Sequence, residues 1–290
     1  MQRVTDVPHL PPRRRDGHKG NYGRVLVTGG SRGMVGAVAL ASNAALRGGA
    51  GLVTFAAPEP VQLTIASLVP CATSLPLACG PDGQLAPVAV GQMIDALAGC
   101  DVLAIGPGLG GDARGADLVR AAIAQDKPCV VDADGLNRLA GMGDWWRDRR
   151  APLVLTPHPG EFARLTGRSI PDIQNARDGS AFEAARDWAG QADAPLVVVL
   201  KGAGTVVTDG HGVYVNETGN PGMASGGSGD VLTGLTAALL GQGLSPFEAA
   251  RLATWVHGRA GDLGAEALGE PALTAGDLLD YLPPALREVS

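Results

Sequence analysis

From Arg24 to Thr166 short β-branched runs alternate with longer helical patterns. Arg24–Thr28 precedes Val35–Arg47, Leu52–Ala56 precedes Pro60–Ser67, Val102–Ile105 precedes Ala113–Ala124, Cys129–Asp132 precedes Leu136–Ala140, and Leu153–Thr156 precedes Pro159–Thr166. Such repetition predicts βαβ units, and joining parallel strands through crossover helices places helices on both faces of one sheet. Leu196–Leu200 is apolar at every position, as a strand covered on both faces must be. Beyond it Thr205–Thr208 and Val213–Asn216 are separated by Asp209-Gly210-His211-Gly212, a hairpin signal, so antiparallel strands are expected near one edge. The chain reads as helical from about Gly229 to Leu282. Without an internal repeat or a Pro/Ser-rich linker, the 290 residues are expected to form one three-layer α/β/α domain around a mostly parallel sheet.

Composition decides what such a domain binds. Aromatic residues are 4% and apolar residues 45%, so the core must be aliphatic and alanine-rich. The 43 glycines show no Gly-X-Y period and cluster at the ends of apolar runs, where tight backbone–ligand loops are made. A net charge of −6 gives no electrostatic footprint for nucleic acid, and the expected partner is a small molecule. Cys71, Cys79, Cys100 and Cys129 form no Cys-x-x-Cys pair, consistent with a reducing compartment. There is no run of 18 apolar residues and no signal-peptide core near Met1, so a soluble, cytoplasmic protein with no membrane partner is expected.

Two familiar glycine motifs are excluded by their neighbours. Thr28-Gly29-Gly30-Ser31-Arg32-Gly33-Met34-Val35-Gly36 follows a strand and opens a helix, as a dinucleotide loop does. Short-chain dehydrogenases pair that loop with a tyrosine and a lysine four residues on. Here the residues four after Tyr22, Tyr214 and Tyr281 are Leu26, Thr218 and Ala285. A P-loop needs Gly-Lys-Ser/Thr, yet Lys19, Lys127 and Lys201 are followed by Gly, Pro and Gly. Two readings of the segment remain: a plain strand-to-helix turn, or backbone N–H groups near Gly36 and Ala37 lining a ligand pocket.

The richest stretch runs from Asn216 to Asp230 and straight into the apolar helix Val231-Leu232-Thr233-Gly234-Leu235. Gly226, Gly227, Ser228 and Gly229 at a helix start let successive N–H groups converge on an anion such as a phosphate. Asp230 beside them is either a cap or a base, and an anion hole with an adjacent carboxylate is what phosphoryl transfer to a hydroxyl requires. Lys201-Gly202-Ala203-Gly204-Thr205 follows the apolar strand, where an open parallel sheet binds ligands, and Lys201 is one of only three lysines. In Thr156-Pro157-His158-Pro159-Gly160-Glu161 two prolines fix His158, while Glu161 suits ordinary helix capping. Gly106-Pro107-Gly108-Leu109-Gly110 and Asp132-Ala133-Asp134-Gly135-Leu136-Asn137 also end strands. Asp132 and Asp134 could hold Mg²⁺ through water or act as helix caps. No His/Cys set has the spacing of a structural zinc site.

Together with His18-Lys19-Gly20-Asn21-Tyr22-Gly23, these motifs, read in order to about Gly243, resemble the ADP/ATP-dependent NAD(P)H-hydrate dehydratases of the ribokinase-like superfamily. The resemblance implies a ribokinase-like domain over 19–290 behind an N-terminal extension of 1–18. It implies repair of hydrated NADH or NADPH, in which the hydroxyl beside the ring nitrogen is phosphorylated and then expelled by nitrogen lone-pair push. Ala37, Gly108, His158 and Asp230 would contact the hydrate, Lys201, Gly202, Ala203, Gly204, Thr205 and Gly229 would hold the adenine nucleotide, and Asp230 would be the base. Stand-alone bacterial members use ADP and release AMP and phosphate, so ADP with Mg²⁺ is expected, in a homo-oligomer that family resemblance makes a tetramer. About eighteen residues precede the first motif, too few for an epimerase, so action on the S epimer and a separate epimerase are expected. The Pro/Arg-rich Val7–Arg15 carries no interpretable motif.

Two other functions fit parts of the pattern. A small-molecule alcohol kinase on the same fold, acting on a pyridoxal, hydroxymethylpyrimidine or thiazole, would use Asp230 and the anion hole equally, but would accumulate a stable phosphate ester. A non-catalytic nucleotide sensor would keep the glycine loops and have no use for Asp230.

Overall fold

The computed structural model describes residues 1–290 apart from 113, 148 and 191–193. Ten strands form one sheet: β1 (Gln2–Arg3), β2 (Arg24–Thr28), β3 (Leu52–Pro58), β4 (Thr73–Leu77), β5 (Val102–Ile105), β6 (Cys129–Val131), β7 (Leu153–Leu155), β8 (Leu196–Leu200), β9 (Val206–Thr208) and β10 (Gly212–Val215), in the spatial order β1-β10-β9-β8-β7-β6-β5-β2-β3-β4. Strands β2 to β8 are parallel; β9 is antiparallel to both β8 and β10, as the hairpin signal required. The outermost strand on that side is β1, which pairs parallel with β10, so the extreme N-terminus closes the sheet edge.

Side-chain alternation divides the core in two. Val25 and Val27 face α1 (Val35–Arg47), α2 (Glu59–Leu68) and the C-terminal α9 (Ser228–Gly241), α10 (Pro246–Leu268) and α11 (Ala275–Arg287). Leu26, Leu103 and Ile105 face α3 (Val88–Ala98), α4 (Gly115–Ile123), α5 (Asp134–Ala140), α6 (Pro159–Thr166), α7 (Ile170–Asn175) and α8 (Arg177–Ala189). The period-2 pleat sends successive residues of each strand to opposite layers. Because β2 lies between β3 and β5, crossover connections leave the neighbouring ends of β2 and β5 in opposite directions. That junction is the topological switch point where such sheets open a crevice for ligands.

The expected bounds of β2, β5, α1, α6 and β8 coincide with those observed, and the helix expected over Ala113–Ala124 is found over Gly115–Ile123, residue 113 lying outside the described residues. After β1 the N-terminal segment runs against the helical layer: Asp6 contacts Arg251, and the Leu10 N–H donates to the Val289 carbonyl at 2.9 Å. Among the described residues no helix is long and apolar enough to cross a membrane.

Candidate active site

The loops at the carboxyl ends of β6, β7 and β8 converge on the start of α9. Lys201, next after β8, reaches Asp132, next after β6: its Nζ donates to Asp132 Oδ1 at 2.7 Å, and Thr233 Oγ1 on α9 donates to Asp132 Oδ2 at 2.8 Å. Asp132 is 1% exposed, and each of its oxygens accepts from a protein donor. Glu161, in the first turn of α6, brings Oε2 to 3.9 Å from Lys201 Nζ. A Cβ on Gly229 would lie 3.0 Å from that same Nζ, so the glycine lets the ammonium approach the start of α9 closely. Ala133, between Asp132 and Asp134, is the only non-glycine described with positive φ (50°, ψ −121°). Such backbone costs about 1–3 kcal/mol and persists where its surroundings enforce it.

Helix α9 begins without a side-chain cap. Gly227 occupies the cap position at φ 96°, and Asp230 sits in the first helical turn with no hydrogen bond to any described residue. Capping is therefore not what Asp230 does. The N–H groups of Gly229 and Asp230 precede the first intrahelical donor, the Val231 N–H, and so have no intrahelical partner. Ser228 differs from the expectation for it: its N–H reaches back to the Ser225 carbonyl at 3.4 Å, and its hydroxyl lies 3.3 Å from His257 Nε2. Burial pushes the Asp230 carboxyl up to about 7, Asp132 and Glu161 adding to the effect against the pull of Lys201. Glu161 is raised to about 7 by burial, with Lys201 opposing and Asp132 adding. Burial opposes the Lys201 ammonium, yet Asp132 and Glu161 together hold it above the ordinary lysine value.

His158 caps α6. Its Nδ1 accepts from the N–H groups of Gly160 at 3.0 Å and Glu161 at 3.3 Å, and the Glu161 carboxylate accepts the His158 N–H at 2.8 Å, a reciprocal capping box. With Nδ1 accepting, the proton of the neutral ring belongs on Nε2. Burial, with Lys201 and Arg164 adding, keeps the ring pKa below the ordinary histidine value. The ring is half exposed, and its Nε2 lies 3.4 Å from Glu161 Oε1 at the mouth of the site.

The structure brings most of the expected residues together. Lys201 and Gly229 meet at Asp132, Asp230 lies within their field, and His158 joins through Glu161. Gly108, at φ 62°, packs so closely on α1 that a Cβ would lie 3.1 Å from the Ala37 Cβ, and a Cβ on Gly227 would overlap Leu40 one turn further along α1. Gly202, Ala203 and Gly204 form an exposed turn closed by Thr205, whose hydroxyl donates to the Gly202 carbonyl at 2.9 Å. Asp132 accepts one donor on each oxygen, and Asp134 accepts from the Gly110 N–H at 2.8 Å and the Asn137 amide at 3.4 Å, which leaves lone pairs on both for water-mediated contact with Mg²⁺. Sequence reasoning took Glu161 for a cap alone and passed over Thr233, although Thr233 lies three residues after Asp230, on the same helix face.

A doubly wound α/β/α sandwich with glycine-rich loops and a carboxylate at the start of a late helix defines a ribokinase-like protein. The NAD(P)H-hydrate dehydratase family pattern matches residues 25–284, and the chain belongs to that family. It is 50% identical over 283 residues to the bifunctional NAD(P)H-hydrate repair enzyme Nnr of Moorella thermoacetica, a match covering 97% of this chain and 52% of that protein. The same-named Escherichia coli protein is 40% identical over 94% of this chain and 49% of its own length, so the chain spans about half the length of these curated relatives. The Bacillus subtilis ADP/ATP-dependent NAD(P)H-hydrate dehydratase, co-crystallised with ATP/Mg²⁺, superposes with a TM-score of 0.80 at 32% identity, covering 99% of this chain and 100% of that one.

Proposed function

We propose that this chain dehydrates the S hydrate of NADH or NADPH to the reduced cofactor at the expense of ADP, releasing AMP and phosphate. The observation that carries the reading is Asp230: a carboxylate with no capping role, poised near pH 7 beside free helical N–H groups and the Lys201 ammonium. In the reaction Asp230 takes the proton of the ring hydroxyl as that oxygen attacks the terminal phosphorus of ADP and the bond to AMP breaks. The N–H groups at Gly229 and Asp230, with Lys201, face the charge on the transferring group. The new phosphate ester leaves as the ring-nitrogen lone pair pushes in, and loss of a proton from the adjacent carbon completes the dihydropyridine.

Among the described residues no cluster of His, Cys, Asp and Glu can cage a metal. A Mg²⁺ that arrives on the nucleotide phosphates needs only one or two carboxylates, and Asp132 and Asp134 would hold it through water, leaving Asp230 to take the proton. Bound there, Mg²⁺ would neutralise phosphate charge. ADP as the nucleotide, homo-oligomerisation and supply of the S epimer by an epimerase belong to the same proposal.

The test is incubation with hydrated NADPH and ADP/Mg²⁺ or ATP/Mg²⁺ in turn, following absorbance of the restored dihydropyridine. Recovery with ADP is expected. Recovery with ATP alone would overturn the nucleotide, and a stable phosphate ester without recovery would favour the alcohol kinase.

A further inference from the structure

Helices α6, α10 and α11 close their first turns with reciprocal capping boxes, at His158 and Glu161, Ser245 and Glu248, and Thr274 and Asp277. A cap of that kind occupies N–H groups of the turn. Helix α9, which keeps them for an anion, has no such cap, and Gly227 at its start offers no side chain to hold the turn. What restrains it comes from α10. Nε2 of His257 lies 2.9 Å from the Ser228 carbonyl oxygen and 3.3 Å from the Ser228 hydroxyl. A carbonyl can only accept, so the ring proton is on Nε2. Burial pulls the His257 pKa down to about 4, with the Ser228 carbonyl opposing and Lys201 adding, so at neutral pH the ring is uncharged and keeps that one proton.

The same face of α10 holds the other end of the loop. Asp262 accepts the Gly219 N–H at 3.0 Å and the Asn220 amide at 3.0 Å, and Thr218 Oγ1 donates to the Trp255 carbonyl at 2.9 Å. Gly258 and Gly261 let the loop lie directly on the helix: a Cβ would come to 2.2 Å from Thr218 Oγ1 at the first and 2.2 Å from Met223 Sδ at the second.

We infer that His257 is a positioning residue for phosphoryl transfer: by holding the Ser228 carbonyl it aims the Gly229 N–H at the transferring phosphate. The inference rests on the proposed reaction for what that N–H meets. The Ser228 carbonyl and the Gly229 N–H belong to one planar trans peptide, so they point in opposite directions and neither turns without the other. Anchoring the oxygen from α10 fixes the direction of the N–H and leaves it free for a ligand, which a cap would not. A hydrogen bond accepted by the carbonyl also polarises the amide and strengthens the N–H as a donor.

Three variants test this. His257→Met keeps the length of the side chain and removes the donor, His257→Gln places an amide N–H at the reach of Nε2, and His257→Asn carries the same amide one methylene shorter. With hydrated NADPH and ADP/Mg²⁺, His257→Met and His257→Asn should lower kcat by roughly 10–100-fold, short of the ~10²–10³ that removing such a donor outright costs, while KM for ADP stays within about 3-fold. His257→Gln should recover most of kcat. A second readout needs no hydrate. Ser-Gly occurs in the chain at Ser225-Gly226 and Ser228-Gly229 alone, so cell-free synthesis with carbonyl-¹³C serine and ¹⁵N glycine isolates those two peptides in the NMR spectrum. His257→Met should move the Ser228 carbonyl carbon upfield and shrink the response of the Gly229 amide to ADP/Mg²⁺, and His257→Gln should restore both. Wild-type kcat in His257→Met and His257→Asn, an unmoved Ser228–Gly229 signal, or losses that His257→Gln does not recover would overturn the positioning role. Should His257→Met not fold, the contrast between His257→Gln and His257→Asn decides alone. Absence of hydrate turnover in the wild type fails the dehydratase reading instead, and the two resonances still decide whether His257 aims the Gly229 N–H.

Discussion

At the scale of single residues, Asp230 sets function against stability. Its folded-state pKa of about 7 lies well above the ~3.9 of an unfolded aspartate, so between those values the folded chain holds the extra proton. Ionising Asp230 therefore costs stability as pH rises from about 4 through about 7. Asp230→Asn removes both the base and that cost. Turnover should fall by ~10²–10⁴-fold, while Tm at pH 8 rises and the gain disappears near pH 4. Melting curves and kcat at the two pH values check this, and near-wild-type kcat would remove Asp230 from the chemistry. The same residue shows what a sequence conceals. Glycines and prolines mark Asp230 and His158 in one dimension because backbone freedom and rigidity are local properties. The partners of Lys201 are not local: Asp132 lies 69 residues away, and Thr233 meets Asp132 across 101. The strained Ala133 leaves no mark in composition at all.

At the scale of elements, α9 must sit close against α1 for its first turn to face the site. A Cβ on Gly234 would lie 1.9 Å from the Ala41 carbonyl oxygen, so this glycine sets the distance between the helices. Gly234→Ala should force them apart at a cost of about 1–3 kcal/mol, weakening ADP binding along with Tm. Gly91, inside α3, is the control: a Cβ there meets nothing within 4 Å, and Gly91→Ala should stabilise by about 0.5–1 kcal/mol through helix propensity. Opposite signs in denaturant unfolding are expected, and equal effects would mean that propensity outweighs packing at the α1–α9 contact. The elements with strong periodicity were legible from the chain alone, β2, α1, β5, α6 and β8 to the residue. The short β4 carries Pro76 and mostly half-exposed residues at the sheet edge, so neither alternation nor an apolar run announces it. The pairing of β1 with β10 joins residues more than 200 positions apart, beyond any local signal.

At the scale of the whole molecule, one ammonium holds the catalytic face together. Lys201 ties the end of β8 to the end of β6, and through Asp132 and Thr233 to α9, while Glu161 and Asp230 add negative charge around it. Lys201→Met keeps the length of the side chain and removes its charge, leaving Asp132 buried without its cation. Breaking one partner out of a buried pair typically costs about 3–5 kcal/mol, so a large loss of stability is expected. Below about pH 10 the wild-type lysine stays protonated in both states, so its own titration adds no pH dependence across the neutral range. In the variant the uncompensated carboxylates cost more as they ionise, so the deficit should widen from pH 5 to pH 8. Asp132→Asn in the same chain removes the orphaned charge while an amide can still accept from Thr233, and the double variant should recover part of the loss. A double-mutant cycle of unfolding free energies reads the coupling directly. Additive losses, or a deficit that stays the same at both pH values, would show that the Lys201–Asp132 contact does not hold these elements together.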